Sequence, residues 1–224
     1  MERELIIYSV YMLFFMLLVG TIILVPLLSF SQDMGAFYKL FAPTCHQKIS
    51  RSLCVFSDGS SSYWLGDCTA QGDGYVFDQS DREQVRVVSG SVTGYKMPVC
   101  ARDLGIYGAL LFGGLLYPLV RDIKDKSVWP AIFLILAMVP IGLDGGIQLV
   151  SELGFLPFVY ESTNAMRLAT GAISGFVAAF YAIPILVNMF CGSTSGAPKK
   201  TQKQNEAKPE TTNSKPAKSN QGND

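Results

Sequence analysis

The side chains able to do chemistry fall in a few short stretches of this sequence. In "APTCHQKISRSLC" the chain's one histidine, His46, adjoins Cys45, with Gln47, Arg51, Ser52 and Cys54 close behind. Two thiolates and an imidazole are a partial ligand set for zinc, and copper suits the same soft donors. Cys45, His46 and Cys100 are therefore a candidate metal site, with the fourth position open to water or Asp103. Adjacent Cys and His chelate less readily than residues two to four apart. The alternative is a disulfide between Cys45 and Cys100, with His46 merely polar nearby. Cys54 and Cys68 bracket a turn-rich stretch that a local disulfide would close.

A second group lies inside apolar runs, where ionisable residues are costly and must face protein or water. Asp144, Gln148 and Ser151 follow the spacing i, i+4, i+7 and make one polar stripe on a helix. "STNAMRLATGAISG" puts Asn164 and Arg167 three apart, followed by a small-residue face of Gly171, Ser174 and Gly175. "PVCARDLGIYG" brings Cys100, Arg102, Asp103 and Tyr107 to one level. The plainest structural roles pair Asp144 with Arg167, send Arg102 to lipid headgroups and place Tyr107 in an aromatic belt. Jointly, Asp144, Arg102, Arg167 and Tyr107 are candidate catalytic residues.

The elements that must position these residues are membrane helices. Four runs, about 5–30, 104–120, 128–150 and 168–190, are apolar enough to cross a hydrocarbon core of about 30 Å. The fold class is an all-α membrane protein of four transmembrane helices, with a long extracytoplasmic loop at 31–103 that contains a small β-rich insert at about 54–96. The first run is too long for a signal peptide, and "MERE" is not a basic leader, so it reads as an uncleaved anchor. The segment "RDIKDKS" and the lysine-bearing tail place both termini in the cytoplasm. The tail, 192–224, lacks aromatic residues and reads as disordered.

Lys plus Arg and Asp plus Glu both number 18, so bulk charge suggests no nucleic-acid partner. No Walker loop, dinucleotide fingerprint, HExxH or GxSxG occurs, and the acidic, glycine-rich stretches lack the spacing of a calcium loop. The chemistry that survives is a metal-dependent membrane enzyme acting on an anionic or lipid-like substrate. Its alternatives are a thiol redox protein, which lacks a Cys-x-x-Cys pair here, and an ion- or lipid-binding or transport module with structural disulfides. As a transporter, four helices would call for a homo-oligomer.

"CHQ" with a following "RS", "PVCARDLGIYG", "DGGIQ" and "STNAMRLATGAISG" occur here in order. Together they resemble the prokaryotic membrane family known as domain of unknown function 2085, over roughly 42–175 apart from the insert. The resemblance implies a small multi-pass membrane protein. It also implies motif positions at Cys45, His46, Gln47, Arg51, Ser52, Cys100, Arg102, Tyr107, Asp144, Gly145, Asn164 and Arg167. Cys54 and Cys68 lie in what looks like an addition to that pattern. The family name supplies no reaction.

Overall fold

A computed structural model describes residues 3–43, 48–60, 62–68, 76–77, 84–158 and 160–191. Cys45, His46 and Gln47, and the tail expected to be disordered, lie outside the described residues.

Among the described residues, four helices are long and apolar enough to cross a membrane: α1 (Arg3–Leu28), α3 (Ala101–Val120), α4 (Ala131–Glu152) and α5 (Asn164–Cys191). A seven-residue helix, α2 (Gly35–Phe41), follows α1, and a 3-10 turn spans Ile49–Arg51. Each long helix carries an internal proline, at Pro26, Pro118, Pro140 and Pro184. Membrane helices tolerate these because neighbouring helices re-satisfy the freed backbone groups.

The bundle is held by close backbone approach and by side chains that hydrogen-bond across helices. On α5 a Cβ added at Gly171 would lie 2.4 Å from the Arg102 carbonyl oxygen, and one at Gly175 2.3 Å from that of Ile106. The i, i+4 pair of glycines is thus the groove in which α3 lies, the membrane form of small-residue packing. Tyr8 and Tyr11 of α1 donate to the Gly114 and Leu110 carbonyls of α3, each at 3.0 Å. Ser174 of α5 donates to the Ala137 carbonyl of α4 at 3.1 Å. Much of the remaining surface is large and apolar, including Val10, Leu17, Phe133 and Met189, as a lipid solvent allows.

Among the described residues, the segment between α1 and α3 carries a five-stranded antiparallel sheet of order β2-β1-β5-β4-β3. Its strands are β1 (Leu53–Ser57), β2 (Tyr63–Asp67), β3 (Val76–Phe77), β4 (Arg86–Ser89) and β5 (Val92–Lys96). Period-two alternation gives it two faces. Cys54, Phe56, Cys68, Val85 and Val87 build a small core on one face, closed by the Cys54–Cys68 disulfide. Leu53 and Val55 on the other face pack with Met97, Ala101, Leu27 and Phe30 against the end of the bundle. The sheet therefore sits over the ends where α1 and α4 finish and α3 and α5 begin.

Candidate functional site

At this end of the bundle the chain gathers its buried polar groups. On α4 the stripe of Asp144, Gln148 and Ser151 is buried while Leu143, Ile147 and Val150 face outward, so the helix turns its polar side inward. Gly145 adjoins the stripe. A Cβ there would come within 3.1 Å of Arg102 Nη1, so a glycine lets the arginine lie flat along α4.

Arg102 donates from Nη2 to Asp144 Oδ2 at 2.5 Å, and Tyr160, from the loop before α5, donates to the other carboxylate oxygen at 3.1 Å. Asp144 is thus satisfied on both oxygens. This corrects the expected pairing of Asp144 with Arg167: the aspartate selects the arginine on α3. Sequence spacing puts Asp144 on the right face of its own helix, but which neighbouring cation faces it depends on how α3 and α5 are rotated. The Arg102 Nε is buried with no hydrogen-bond partner among the described residues.

Arg167, on the first turn of α5, is deeply buried, its side chain only 2% exposed. Its Nη1 donates to Asn164 Oδ1 at 3.2 Å and to the Ser50 carbonyl at 3.5 Å. Arg51 comes from the 3-10 turn beneath the sheet. With its amide oxygen turned toward the two guanidinium groups, Gln148 accepts from Arg51 Nη2 at 2.6 Å, from Arg51 Nε at 3.1 Å and from Arg167 Nη2 at 3.2 Å. That orientation satisfies donors and acceptors together. One neutral amide therefore holds two arginines from distant parts of the chain.

Two glutamates complete the charge balance. Glu152, at the end of α4, accepts from Arg51, and Glu161 lies 3.8 Å from Arg167 and 4.0 Å from Arg51. Both carboxylates are outward, 41% and 53% exposed. Arg51 and Arg167 are thus less exposed than the glutamates they face, whereas in the Arg102–Asp144 pair the carboxylate is the more buried partner.

The sheet is fastened to the same cluster. Asn164 Nδ2 donates to the Ser52 carbonyl at 3.2 Å and to Asp67 Oδ1 at 2.9 Å. Ser52 flanks β1, and Asp67 ends β2 one residue before Cys68. The Cys54–Cys68 disulfide thus holds together the two strands that meet Asn164. Ser52 contributes this carbonyl, while its hydroxyl donates to the Lys48 carbonyl at 2.9 Å.

Of the sequence candidates, the structure brings together Arg51, Ser52, Arg102, Asp144, Gln148, Asn164 and Arg167. Tyr107 packs instead with Ile22, Phe41 and Val99, in the cluster toward α1 and α2. The Cys100 thiol donates to Asp103 Oδ2 at 3.1 Å. Cys45, His46 and Gln47 are outside the described residues, and among those described no group of three His, Cys, Asp or Glu is placed to hold a metal. Glu152, Glu161, Tyr160 and Asp67 were missed by the sequence reasoning. Only Glu152 carried a signal there: it stands four residues after Gln148 and extends the polar stripe by another turn.

Comparison with known proteins agrees on the membrane character. Residues 84–181 match the model of a family described as predicted membrane protein (DUF2085). The expected resemblance to that family holds over this stretch, which takes in β4, β5, α3, α4 and the larger part of α5. The "CHQ" motif and Arg51 lie before it. An uncharacterized protein of Methanocaldococcus jannaschii, MJ1492, is 38% identical over 98 residues, which are 44% of this chain and 58% of that protein. The aligned part thus spans somewhat over half the length of that relative. No solved structure matches the chain.

Proposed function

We propose that this integral membrane protein binds the anionic headgroup of a lipid or lipid-like substrate at the membrane face where the sheet lies. The observation that carries this reading is the convergence of Arg51, Arg102 and Arg167, from a turn, α3 and α5, on one partly buried cluster whose outer carboxylates are solvent-facing. Guanidinium forks match phosphate and carboxylate oxygens two at a time. A buried arginine held by neutral acceptors keeps more of its field than one locked in a buried ion pair. In this reading an arriving headgroup displaces Glu152 and Glu161 and takes their places on Arg51 and Arg167. Asp144, held by Arg102 and Tyr160 on its two oxygens, stays buried and fixes Arg102 in place. In this reading the basic segment at 121–127 is cytoplasmic, as the positive-inside rule favours, and the arginine cluster is at the outer face.

Lipid analysis tests the reading. Protein purified from a membrane of mixed lipids is expected to retain anionic lipid in stoichiometric amount, read by mass spectrometry, and Arg51→Gln to retain at most a tenth as much. Equal retention of zwitterionic lipid, or no change in the variant, would sink the proposal.

A second reading puts a zinc or copper ion on Cys45, His46 and Cys100 with Asp103 as fourth ligand. It is favoured by the 3.1 Å approach of Cys100 Sγ to Asp103 Oδ2, which already sets a sulfur and an oxygen donor side by side. Elemental analysis with disulfide mapping decides it: about one metal per chain supports it, whereas a peptide joined through Cys45 and Cys100 excludes it.

A further inference from the structure

The underside of the sheet does not end where the bundle ends. On the bundle-facing side β2 carries Tyr63, Leu65 and Asp67 in period-two register, paired with Ser57, Val55 and Leu53 of β1. Asp67 reaches α5 through Asn164, and Leu53 and Val55 rest on α1 and α3. Leu65 and Tyr63 continue past that support, and each stays more than half exposed, at 52% and 54%. Beneath them is a cavity of about 340 Å³, lined by Ile23, Leu27, Val55, Tyr63, Leu65 and Met97 among others, every one apolar or aromatic.

Its depth follows from α1. Ile23 stands five residues before the end of that helix, about 7.5 Å at 1.5 Å per residue. A 26-residue helix covers the whole bilayer with its headgroup layers, so the cavity falls at the boundary between headgroups and acyl chains. Aromatic residues mark the same level: Phe30 meets Tyr63 edge-on at 5.4 Å and Tyr95 at 4.8 Å, and Trp64 is next along β2. Tyr and Trp gather where a membrane meets water.

We propose that this cavity is an acyl-chain site: a lipid of the surrounding leaflet inserts part of one chain beneath the β1–β2 hairpin, which lies on the bilayer as a ledge. The occupant is named by continuity, because the exposed residues Ile23, Leu24 and Leu28 carry the lipid-facing surface of α1 directly to the cavity. The site is separate from the arginine cluster. Leu104 lines the cavity from α3, whereas Arg102, two residues earlier and so about 200° around the helix, faces α4.

The chain has two tryptophans, Trp64 and Trp129. Trp64 stacks on Phe56 on the face of the sheet away from the cavity, so Leu65→Trp in a Trp64→Phe, Trp129→Phe background leaves one reporter at the cavity. Reconstituted into bilayers whose lipids carry bromine at carbons six and seven, this variant is expected to lose at least half its emission relative to unbrominated lipid. A second reporter, Tyr63→Trp in a Trp64→Phe, Trp129→Phe background, places the indole over the cavity mouth and is expected to behave the same way. Retention of the Cys54–Cys68 disulfide checks that each variant is folded. Emission from both reporters that ignores brominated lipid but is quenched by aqueous iodide overturns the proposal. So does shielding from both quenchers that vanishes on dilution of protein in lipid, which would mean that a second copy covers the open edge of β2.

Discussion

Removal of Asp144 should expose the architecture of the cluster more clearly than any other single change. In Asp144→Ala, Arg102 loses its ion-pair partner while its Nε is already without one among the described residues. Breaking such a buried pair costs roughly 3 to 5 kcal/mol, and the 23% exposure of the arginine side chain favours the lower figure. For a chain of this size about 1 kcal/mol moves Tm by roughly 2 to 4 °C, so a loss of about 6 to 12 °C is expected at the lower cost. Replacing both partners, Asp144→Leu with Arg102→Leu, removes the buried charge altogether and should recover most of that loss. The assay is thermal unfolding in detergent, with Asp144→Leu, Arg102→Leu and the double variant read as a cycle. Parallel cycles with Arg167→Leu in place of Arg102→Leu should show much weaker coupling, because Asp144 and Arg167 share no direct contact. A single-variant loss under about 1 °C, or stronger coupling to Arg167 than to Arg102, would refute this assignment.

Three further outcomes follow from particular contacts. Gly175→Val drives a side chain into the Ile106 backbone and should cost roughly 1 to 3 kcal/mol or more, whereas Gly108→Ala, with nothing within 4 Å, should be neutral or slightly stabilising. Thermal unfolding of both variants separates packing from a general effect of glycine in a helix. Asn164→Ala leaves the Ser52 carbonyl and Asp67 without their shared donor. It should loosen the sheet by roughly 1 to 3 kcal/mol, read as faster amide exchange in β1 and β2 with α3 and α4 unchanged. In the loop after α3, the hydrogen bond from Arg121 holds the Asp125 carboxyl down at about 2, helped by Ser127. Because the folded value lies below the ordinary one, the stability this contact contributes is present above about pH 4 and is lost as pH falls through about 2. Arg121→Gln should bring the Asp125 titration, followed by NMR, back toward the ordinary carboxylate range.

Much of the frame was legible because each signal is carried within one element. The four apolar runs were long enough to be spans, the spacing of Asp144, Gln148 and Ser151 identified the inward face of α4, and Gly171 with Gly175 marked a packing face that α3 fills. The pairing of charges was not legible. Helical periodicity orients a residue on its own helix and says nothing about the rotation of its neighbour, so Asp144 was assigned to Arg167 when Arg102 is its partner. Asp67, Tyr160 and Glu161 come from strand ends and loops, where no period exists to reveal direction. Arg51 was named for its motif, yet its convergence with Arg167 on Gln148 required the 3-10 turn to pass beneath the sheet.

In the proposed exchange Arg51 and Arg167 receive an anionic headgroup in place of Glu152 and Glu161. Titration of the detergent-solubilised protein with dioctanoyl phosphatidic acid, against dioctanoyl phosphatidylcholine and inorganic phosphate as separate arms, tests it most directly. Saturable binding of the phosphatidic acid is expected, weakened at least tenfold by Arg51→Gln and strengthened by Glu161→Gln, since one change removes a donor and the other a competitor. Inorganic phosphate binding as tightly would assign the site to a free anion instead of a lipid. Weakening by Glu161→Gln, or binding unmoved by either substitution in folded protein, would contradict the account.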